Sequence, residues 1–222
     1  MKKGILTTIM VVAAGAYAVD AGRYGPNDRG TPPKVDVATS ELSVDNGTWK
    51  YLFAWNTGRD VWVGNQFLGG PKPSYRIHTI KLFTSTVWPN ETWEGFRVAV
   101  FGYDGSRPTS MLWPTGGTGS FFKPSGLTGH VWVEVPVDYL GPNRFVAAVE
   151  QFYGGNACDP CAVDSNPTPL GRSWQKYGAE PWKSLQPMTD PYFNLMLRVI
   201  VEEETAPAVT PATLGRVKAL YY

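Results

Sequence analysis

The chain has few of the residues that enzymes and metal sites most often use. Its 222 residues include two cysteines, Cys158 and Cys161, and two histidines, His78 and His130. It contains no G-x-S-x-G turn and no H-E-x-x-H motif, which excludes a serine-hydrolase elbow and a common zinc-protease site. A lone histidine in a strand is more often hydrogen-bonded or solvated than catalytic. The sequence therefore predicts a protein that is not an enzyme.

Charge is scarce and nearly balanced. Charged side chains make up 18% of the chain, and the formal net charge is +1 at pH 7. Loss of residues 1–18 would remove Lys2 and Lys3 and leave 18 basic against 19 acidic side chains. Nucleic acids and anionic lipids are bound by an excess of basic side chains. Neither is therefore expected as a partner.

Long hydrophobic runs are missing beyond the first 18 residues. Lys2 and Lys3 precede an apolar run over residues 4–16, and an A-x-A cleavage site ends at Ala18. This pattern is typical of a secretory signal peptide, and the run is short for a membrane span. A retained N-terminal anchor is the alternative. We expect cleavage after Ala18, no membrane span in the mature chain, and a secreted protein located outside the cell or on its surface.

Aromatic residues, glycine and proline are plentiful. The chain holds nine Trp, eleven Tyr, 24 Gly and 19 Pro. Aromatic residues favour strands, whereas Gly and Pro favour turns. Seven segments alternate in polarity or are apolar throughout, as strands do. They are TWKYLFAWNT (48–57), DVWVGNQF (60–67), YRIHTIKLFTST (75–86), GFRVAVFGYD (95–104), HVWVEVPVDYL (130–140), RFVAAVEQFY (144–153) and YFNLMLRVIVEE (192–203).

Three long connections that contain tryptophan separate some of these segments. They cover residues 88–95, 105–129 and 153–191, and we predict them to be loops. No segment before the C-terminal tail predicts an amphipathic helix. The sequence therefore predicts an all-β fold, an antiparallel two-sheet sandwich that is jelly-roll-like, with long aromatic-rich loops and extended termini.

The alternation also assigns side chains to faces. The valines of HVWVEVPVDYL are predicted to point inwards, with Trp132 and Glu134 on the opposite face. Pro136 marks this strand as an edge or bulged strand, because proline cannot donate a ladder hydrogen bond. In YRIHTIKLFTST, the same alternation places Ile77 on the face opposite Ile80.

Composition divides the chain into four parts. Residues 1–18 form the signal peptide, and residues 19–40 form an extended N-terminal segment rich in Gly, Pro and Asp. Residues 41–204 form the β-sandwich domain. Residues 205–222 form a Pro/Thr linker followed by the C-terminal tail LGRVKALYY, which is either a frayed end or a sorting or docking tag.

The two cysteines are separated by two residues, in GGNACDPCAVD. A haem attachment would need histidine after Cys161, where Ala162 stands, and zinc would need further ligands. A thioredoxin-like centre begins a helix in a βαβ unit, which an all-β chain does not provide. In an oxidising compartment the pattern predicts a disulfide between Cys158 and Cys161 that stiffens a local turn.

Oxygen-bearing side chains cluster beside the cysteines. Asp159, Asp164 and Asn166 could supply the several oxygen ligands that calcium prefers. Asx side chains at turns more often cap their own backbone. No cofactor is expected, with calcium as the alternative.

Two glutamates lie within predicted strands. Glu134 and Glu150 could act together as the carboxylate pair of a glycosidase if they faced one cleft. A sheet-face glutamate is more often solvated or paired with a cation.

Tryptophan gives the strongest binding signal. The candidate contact residues are those of the predicted loops, namely Trp88, Trp93, Trp113, Trp174 and Trp182. Exposed rings could form a stacking platform for a sugar or a contact surface for a protein. The alternative is that these rings fold back as lids over the open ends of the sandwich.

Three stretches carry a resemblance to other proteins. TWEGFRVAVFGYDG with PTSMLWPTGG, FVAAVEQFYGGNACDPCAVDSNP, and LGRVKALYY resemble segments of uncharacterised secreted bacterial β-sandwich proteins with a short C-terminal tail. The resemblance covers most of residues 45–222. It implies a secreted, non-catalytic, tail-bearing protein, and it carries over no binding residue.

Together these features predict a non-catalytic extracellular or cell-surface module with a structural or adhesive role. Extended termini could add strands to a neighbouring subunit, so a homo-oligomer or another extracellular protein is the expected partner. A carbohydrate-binding module that holds polysaccharide with its loop tryptophans is the first alternative. A glycosidase-like enzyme is the second.

Overall fold

The computed structural model describes residues 39–53, 61–69, 72–86, 94–151, 159–164, 171–185 and 194–203. These residues contain thirteen β-strands and no helix, so no described helix is available to cross a membrane. The strands are β1 (Thr39–Leu42), β2 (Trp49–Phe53), β3 (Val61–Leu68), β4 (Ser74–Ser85), β5 (Phe96–Tyr103), β6 (Pro108–Trp113), β7 (Ser120–Phe122), β8 (His130–Pro142), β9 (Arg144–Gln151), β10 (Cys161–Asp164), β11 (Ser173–Tyr177), β12 (Lys183–Ser184) and β13 (Leu197–Glu203).

All strand pairs among the described residues are antiparallel. The smaller main sheet has the order β1-β13-β4-β8, and the larger has the order β12-β11-β3-β9-β5-β6, with β7 also paired to β5. Strands β10 and β2 form a separate two-stranded ribbon. The prediction of an all-β, antiparallel fold is therefore confirmed.

The order of eight strands relates the two main sheets to each other. Numbered along the chain, β1, β3, β4, β5, β6, β8, β9 and β13 follow the order 1-8-3-6 in one sheet and 2-7-4-5 in the other. Consecutive strands thus often alternate between sheets, as two Greek keys do in a jelly roll. We infer a jelly-roll-like topology from this order.

The core lies between the inner faces of the two main sheets. Buried side chains of β3, β5 and β9 belong to the same apolar cluster as those of β4, β8 and β13. Phe145 and Val149 on one side and Ile80 and Leu197 on the other are at most 2% exposed. Complete burial of side chains of this size contributes about 1.5 to 3 kcal/mol each.

Strand β8 shows how the sequence pattern becomes a surface. Val133, Val135 and Val137 are buried, whereas Glu134 and Pro136 between them are exposed. The strand is an edge of the smaller sheet, as Pro136 predicts. The predicted orientation of the strand is therefore confirmed.

A β-bulge corrects one predicted face. The pairing of β4 with β13 shifts register, because the neighbours Ile200 and Val201 pair with Thr79 and Ile77 and leave His78 as an extra residue on β4. The extra residue returns Ile77 to the core face, so Ile77 and Ile80 are both completely buried. The prediction that these isoleucines lie on opposite faces was wrong.

Five strands lie inside segments predicted as loops. Strands β6 and β7 lie within residues 105–129, and β10, β11 and β12 lie within residues 153–191. Their short length and the surrounding Gly and Pro hide the alternation. Strands β11 and β12 widen the larger sheet beyond the eight-stranded pattern.

Several strand ends that flank the long connections lie at one end of the sandwich. At this end β4 stops and β8 starts at the paired residues Ser85 and His130. Strand β9 likewise stops and β3 starts at the paired residues Gln151 and Val61. The connection between β8 and β9 at the other end is Asn143 alone. We call the first end the long-connection end.

Candidate functional site

A row of aromatic rings crosses the outer face of the smaller sheet near the long-connection end. The rings of Trp49 and Phe83 stack with their centroids 6.3 Å apart, and Phe83 meets Trp132 edge to face at 5.4 Å. His130 lies 4.9 Å from the Trp49 ring. Trp49 is 42% exposed, and Tyr51, two residues along the same strand, is 43% exposed. We call Trp49, Tyr51, Phe83, His130 and Trp132 the aromatic face.

Strand pairing places these rings next to one another. Phe83 of β4 and Trp132 of β8 are directly paired, so their side chains share one face of the sheet. Trp49 arrives on β2, which pairs with β10. Strand β10 in turn is joined to the smaller sheet, because Met196 N donates to Ala162 O at 2.8 Å.

A buried aspartate anchors the turn that precedes Trp49. Asp164 accepts hydrogen bonds from Asn46 N at 3.0 Å and from Asn194 N at 2.8 Å. The backbone then turns at Gly47, which has a φ of 83° that favours glycine. Asp164 thus fixes the approach of β2 to the sheet.

A network of ion pairs lies beside the rings. Arg198 donates to the buried Asp45 carboxylate, with Nε 3.0 Å from Oδ2, and to Glu41 at 2.8 Å. Lys81 donates to the other oxygen of Glu41 at 2.7 Å and lies 3.4 Å from Glu134. These pairs tie the edge strand β1 and the following turn to the middle of the sheet.

The same cations contact an aromatic ring. The Arg198 guanidinium lies 4.5 Å from the centroid of the Trp132 ring, and Lys81 Nζ lies 5.6 Å from it. A cation over an indole face is attracted by the ring quadrupole. The ion-pair network therefore also fixes the orientation of Trp132.

The pairing shifts the ionisation of its members. Hydrogen bonding to Asp45 raises the pKa of Arg198, and hydrogen bonding to Glu41 raises the pKa of Lys81. Burial of Glu41 opposes its ionisation, but the hydrogen bonds and charges of Lys81 and Arg198 together outweigh it and lower its pKa. Both cations of the network thus remain charged and neutralised by carboxylates at neutral pH.

Replacement of Glu41 by glutamine should cost about 0.5 to 1 kcal/mol of stability at pH 7, since its ion pairs are partly exposed. A lowered folded-state pKa gives stabilisation that is present above the unfolded value of about 4.3 and lost as the pH falls below it. Urea unfolding of both chains from pH 7 downward measures the difference. The difference in free energy of unfolding between the parent chain and the variant should shrink below about pH 4.3. A difference that stays constant would contradict a lowered pKa of Glu41.

Two of the predicted contact tryptophans are buried. Trp174 lies in β11 and is 8% exposed, and Trp182 precedes β12 and is 9% exposed. Their rings pack on the outer face of the larger sheet, where Trp182 meets Phe101 edge to face at 5.0 Å. The small side chains of Ala99 and Ala148 belong to the same cluster. Trp174 and Trp182 therefore do not form an exposed platform, and the alternative that the rings fold back holds for them, because both pack against the outer face of the larger sheet.

The other predicted contact residues divide in two. Trp113 ends β6, is half-buried and packs against the main core. Trp88 and Trp93 lie outside the described residues. The structure therefore brings none of the described candidates into the aromatic face. Its tryptophans, Trp49 and Trp132, come from segments that were predicted as strands.

The cysteine motif is described in part. Cys158 lies outside the described residues, so the disulfide stays a prediction. Cys161 begins β10 and is completely buried, and its Sγ accepts a hydrogen bond from Gln151 Nε2 at 3.3 Å. Cys161 thus helps to pack β10 beneath the end of β9.

The predicted oxygen ligands serve the backbone. Asp159 accepts hydrogen bonds from Glu94 N at 3.3 Å and from Gly95 N at 2.9 Å, and burial raises the pKa of its carboxyl. Asp164 holds the turn before β2, and Asn166 lies outside the described residues. Within the described part of the chain, no three His, Cys, Asp or Glu side chains gather as a metal site. Calcium binding stays a prediction.

The two glutamates of the glycosidase hypothesis lie on different sheets. Glu134 is exposed on the outer face of the smaller sheet, beside Lys81. Glu150 lies on the outer face of the larger sheet and pairs with Arg97 at 2.8 Å. The core separates the two carboxylates, so the structure contradicts the alternative in which they act as one catalytic pair and favours glutamates paired with cations.

The comparisons with known proteins add no constraint to this geometry. A search of protein-family models, of curated proteins and of solved structures found no match to the chain.

Proposed function

We propose that the protein is a non-catalytic module that acts outside the cell and binds a neutral polysaccharide through its aromatic face. The observation that carries this proposal is the row formed by Trp49, Phe83 and Trp132, with Trp49 and Tyr51 more than 40% exposed. Large exposed aromatic groups on a folded domain usually mark a contact surface. The signal-peptide pattern supports the extracellular location.

Sugar rings suit this surface for two reasons. Their C–H faces are apolar and flat enough to lie against an indole or phenol ring, which buries apolar area on both sides. Their hydroxyl groups need hydrogen-bond partners, and Glu134, which is 56% exposed in its side chain, offers carboxylate oxygens beside Trp132. A row of rings on a sheet also offers more than one stacking position to an extended chain.

The charges of the face favour a neutral polymer. Four carboxylates, those of Glu41, Asp45, Glu134 and Glu202, share this face with Lys81 and Arg198. Lys81 and Arg198 are already bound by carboxylates, and Lys50, whose Nζ lies 5.0 Å from the centroid of the Tyr51 ring, is a further cation of this face. An acidic polysaccharide would meet repulsion from the excess carboxylates.

Affinity electrophoresis against a panel of polysaccharides tests this proposal. Gels should contain neutral polymers, such as β-glucans, mannan and xylan, or acidic polymers that contain neither uronate nor phosphate, such as dextran sulfate and carrageenan. Migration of the purified protein should be retarded by at least one neutral polymer and by none of the acidic ones. Unchanged migration in every neutral gel, or retardation by acidic polymers alone, would contradict the proposal.

Self-assembly through the termini stays a separate prediction. The residues on which it depends, 19–38 and 205–222, lie outside the described part of the chain. Strand β1, which follows the first of these segments, is a short edge strand of the smaller sheet.

A further inference from the structure

A second surface feature lies on the opposite side of the sandwich. A pocket of about 430 Å³ opens between the β5–β6 turn and the β11–β12 hairpin, on the side of the larger sheet. Its volume is within the range that holds a small organic molecule. Asp104, Arg107 and Thr109 line it from one side, and Lys176, Glu180 and Trp182 line it from the other.

The carboxylate on the turn is occupied by its own backbone. Asp104 Oδ1 accepts hydrogen bonds from Ser106 N and Ser106 Oγ at 2.8 Å and from Arg107 N at 2.9 Å. The backbone hydrogen bond from Ser106 contributes most to lowering the pKa of Asp104. The Asp104 carboxylate is therefore directed towards the turn, and its Oδ2 lies 3.9 Å from Arg107 Nε, which is too far for a hydrogen bond.

The carboxylate on the hairpin is occupied in the same way. Glu180 Oε2 accepts a hydrogen bond from Lys183 Nζ at 3.2 Å. Because Glu180 is bound by Lys183, which is outside the pocket lining, it is not paired with the lysine that lines the pocket. That cation is Lys176, which forms no ion pair with any other residue that the structure describes.

The pocket thus presents two cations whose donors are largely unused, beside the carboxylates of Asp104 and Glu180, which are held by the turn and by Lys183. Arg107 carries five N–H donors and Lys176 carries three. The 3.9 Å contact with Asp104 involves one nitrogen of Arg107, Nε, and leaves the donors of its other two nitrogens available. Trp182 supplies an apolar wall, and the Thr109 hydroxyl adds a neutral hydrogen-bonding group. An anionic group with an attached polyhydroxylated ring satisfies all of these partners at once.

We propose that this pocket binds a small anionic sugar, a hexuronate or a sugar phosphate, with its charge on Arg107 and Lys176 and its hydroxyl groups beside Thr109. Arg107 can form a bidentate pair with either a carboxylate or a phosphate, whereas Lys176 acts as a point charge. The site is independent of the aromatic face, because the two lie on the outer faces of different sheets. It adds recognition of a charged sugar to a module whose other face suits a neutral polymer.

Calorimetric titration at low ionic strength tests the proposal with four probes: glucuronate, glucose 6-phosphate, inorganic phosphate and glucose. We expect at least one of the charged sugars to bind with a Kd of about 1 mM or tighter. Glucose and inorganic phosphate should each bind at least about tenfold more weakly, since each lacks one half of the recognised chemistry. The preferred charged sugar then distinguishes a carboxylate from a phosphate ligand.

Variants locate the site. Arg107→Gln combined with Lys176→Gln should weaken binding of the charged sugar at least about tenfold. As a control, Lys123→Gln changes an exposed lysine outside the lining and should leave the affinity within about twofold of the parent chain. Both changes are on the surface, so the fold should persist. No binding of either charged sugar, equal binding of inorganic phosphate, or undiminished binding by the double variant would overturn the proposal.

Discussion

Replacement of both Trp49 and Trp132 by alanine should weaken polysaccharide binding by about 100-fold or more. Each ring that covers a sugar face contributes about 1.5 to 3 kcal/mol through buried apolar area, and tenfold in affinity corresponds to about 1.4 kcal/mol. The loss should appear in a titration with an oligosaccharide of the polymer that retards the parent protein. Trp49 is 42% exposed, so its removal should disturb the core little.

A matched control lies on the other sheet. Phe121 of β7 is 57% exposed, and β7 pairs with β5 of the larger sheet. Phe121→Ala removes a similar exposed ring at a distance from the aromatic face, and it should leave the affinity unchanged. If both variants lost affinity equally, or if the double tryptophan variant kept it, the aromatic face would not be the binding surface.

Replacement of Arg198 by methionine should lower the free energy of unfolding by about 3 to 5 kcal/mol. The Asp45 side chain is fully buried and is held by Arg198, so the change leaves a buried carboxylate without its cation. Glu41 loses one of its two cations, and Trp132 loses the guanidinium on its ring. Methionine keeps most of the side-chain volume, which separates the electrostatic loss from a cavity. Urea denaturation at pH 7 measures the difference.

Arg76 provides the comparison for this effect. It pairs with Asp138 at 3.0 Å, but the two side chains are 37% and 75% exposed. Arg76→Met should therefore cost less than about 1 kcal/mol, as exposed pairs do. Equal costs for Arg198→Met and Arg76→Met would show that the network beside the aromatic face contributes no more than an ordinary surface ion pair.

Period-two patterning predicted most of the sandwich because one face of each long strand is buried. The valines of β8 and the residues Leu195, Leu197, Val199 and Val201 at the last strand are buried as their alternation requires. Local pattern does not determine the pairing order, which depends on contacts between distant segments. The register shift beside Ile77 is likewise invisible in the sequence, because the bulge arises from the pairing of β4 with β13.

Short strands inside long connections escaped prediction for a related reason. Strand β11 alternates Ser173, Gln175 and Tyr177 with Trp174 and Lys176, and neither set is uniformly apolar or polar. Its inner side contains a buried polar contact, since Ser173 Oγ donates to Asn65 Oδ1 at 2.7 Å. Hydrophobicity alone cannot identify a face that is buried through hydrogen bonds.

The aromatic face was missed because exposure was assigned by element type. Tryptophans in predicted loops were taken as the candidates for exposure, yet Trp174 and Trp182 are buried against the outer face of the larger sheet. The useful signal was the alternation of β8, which placed Trp132 on the same side as the charged Glu134. The proximity of Trp49 to this face could not be predicted, because it depends on a contact between distant parts of the chain: Asp164 holds the turn at Asn46 that brings β2 to the sheet.

Resonance shifts of the indole N–H groups test the central claim most directly. Each of the nine tryptophans gives its own signal in a nitrogen-15 correlation spectrum, so one titration with a neutral oligosaccharide reports on every ring. Binding at the aromatic face should shift the signals of Trp49 and Trp132 and leave those of the buried Trp62, Trp174 and Trp182 unchanged. If other indole signals shifted saturably while those of Trp49 and Trp132 stayed unchanged, binding would lie elsewhere, and the aromatic face would not be the binding surface.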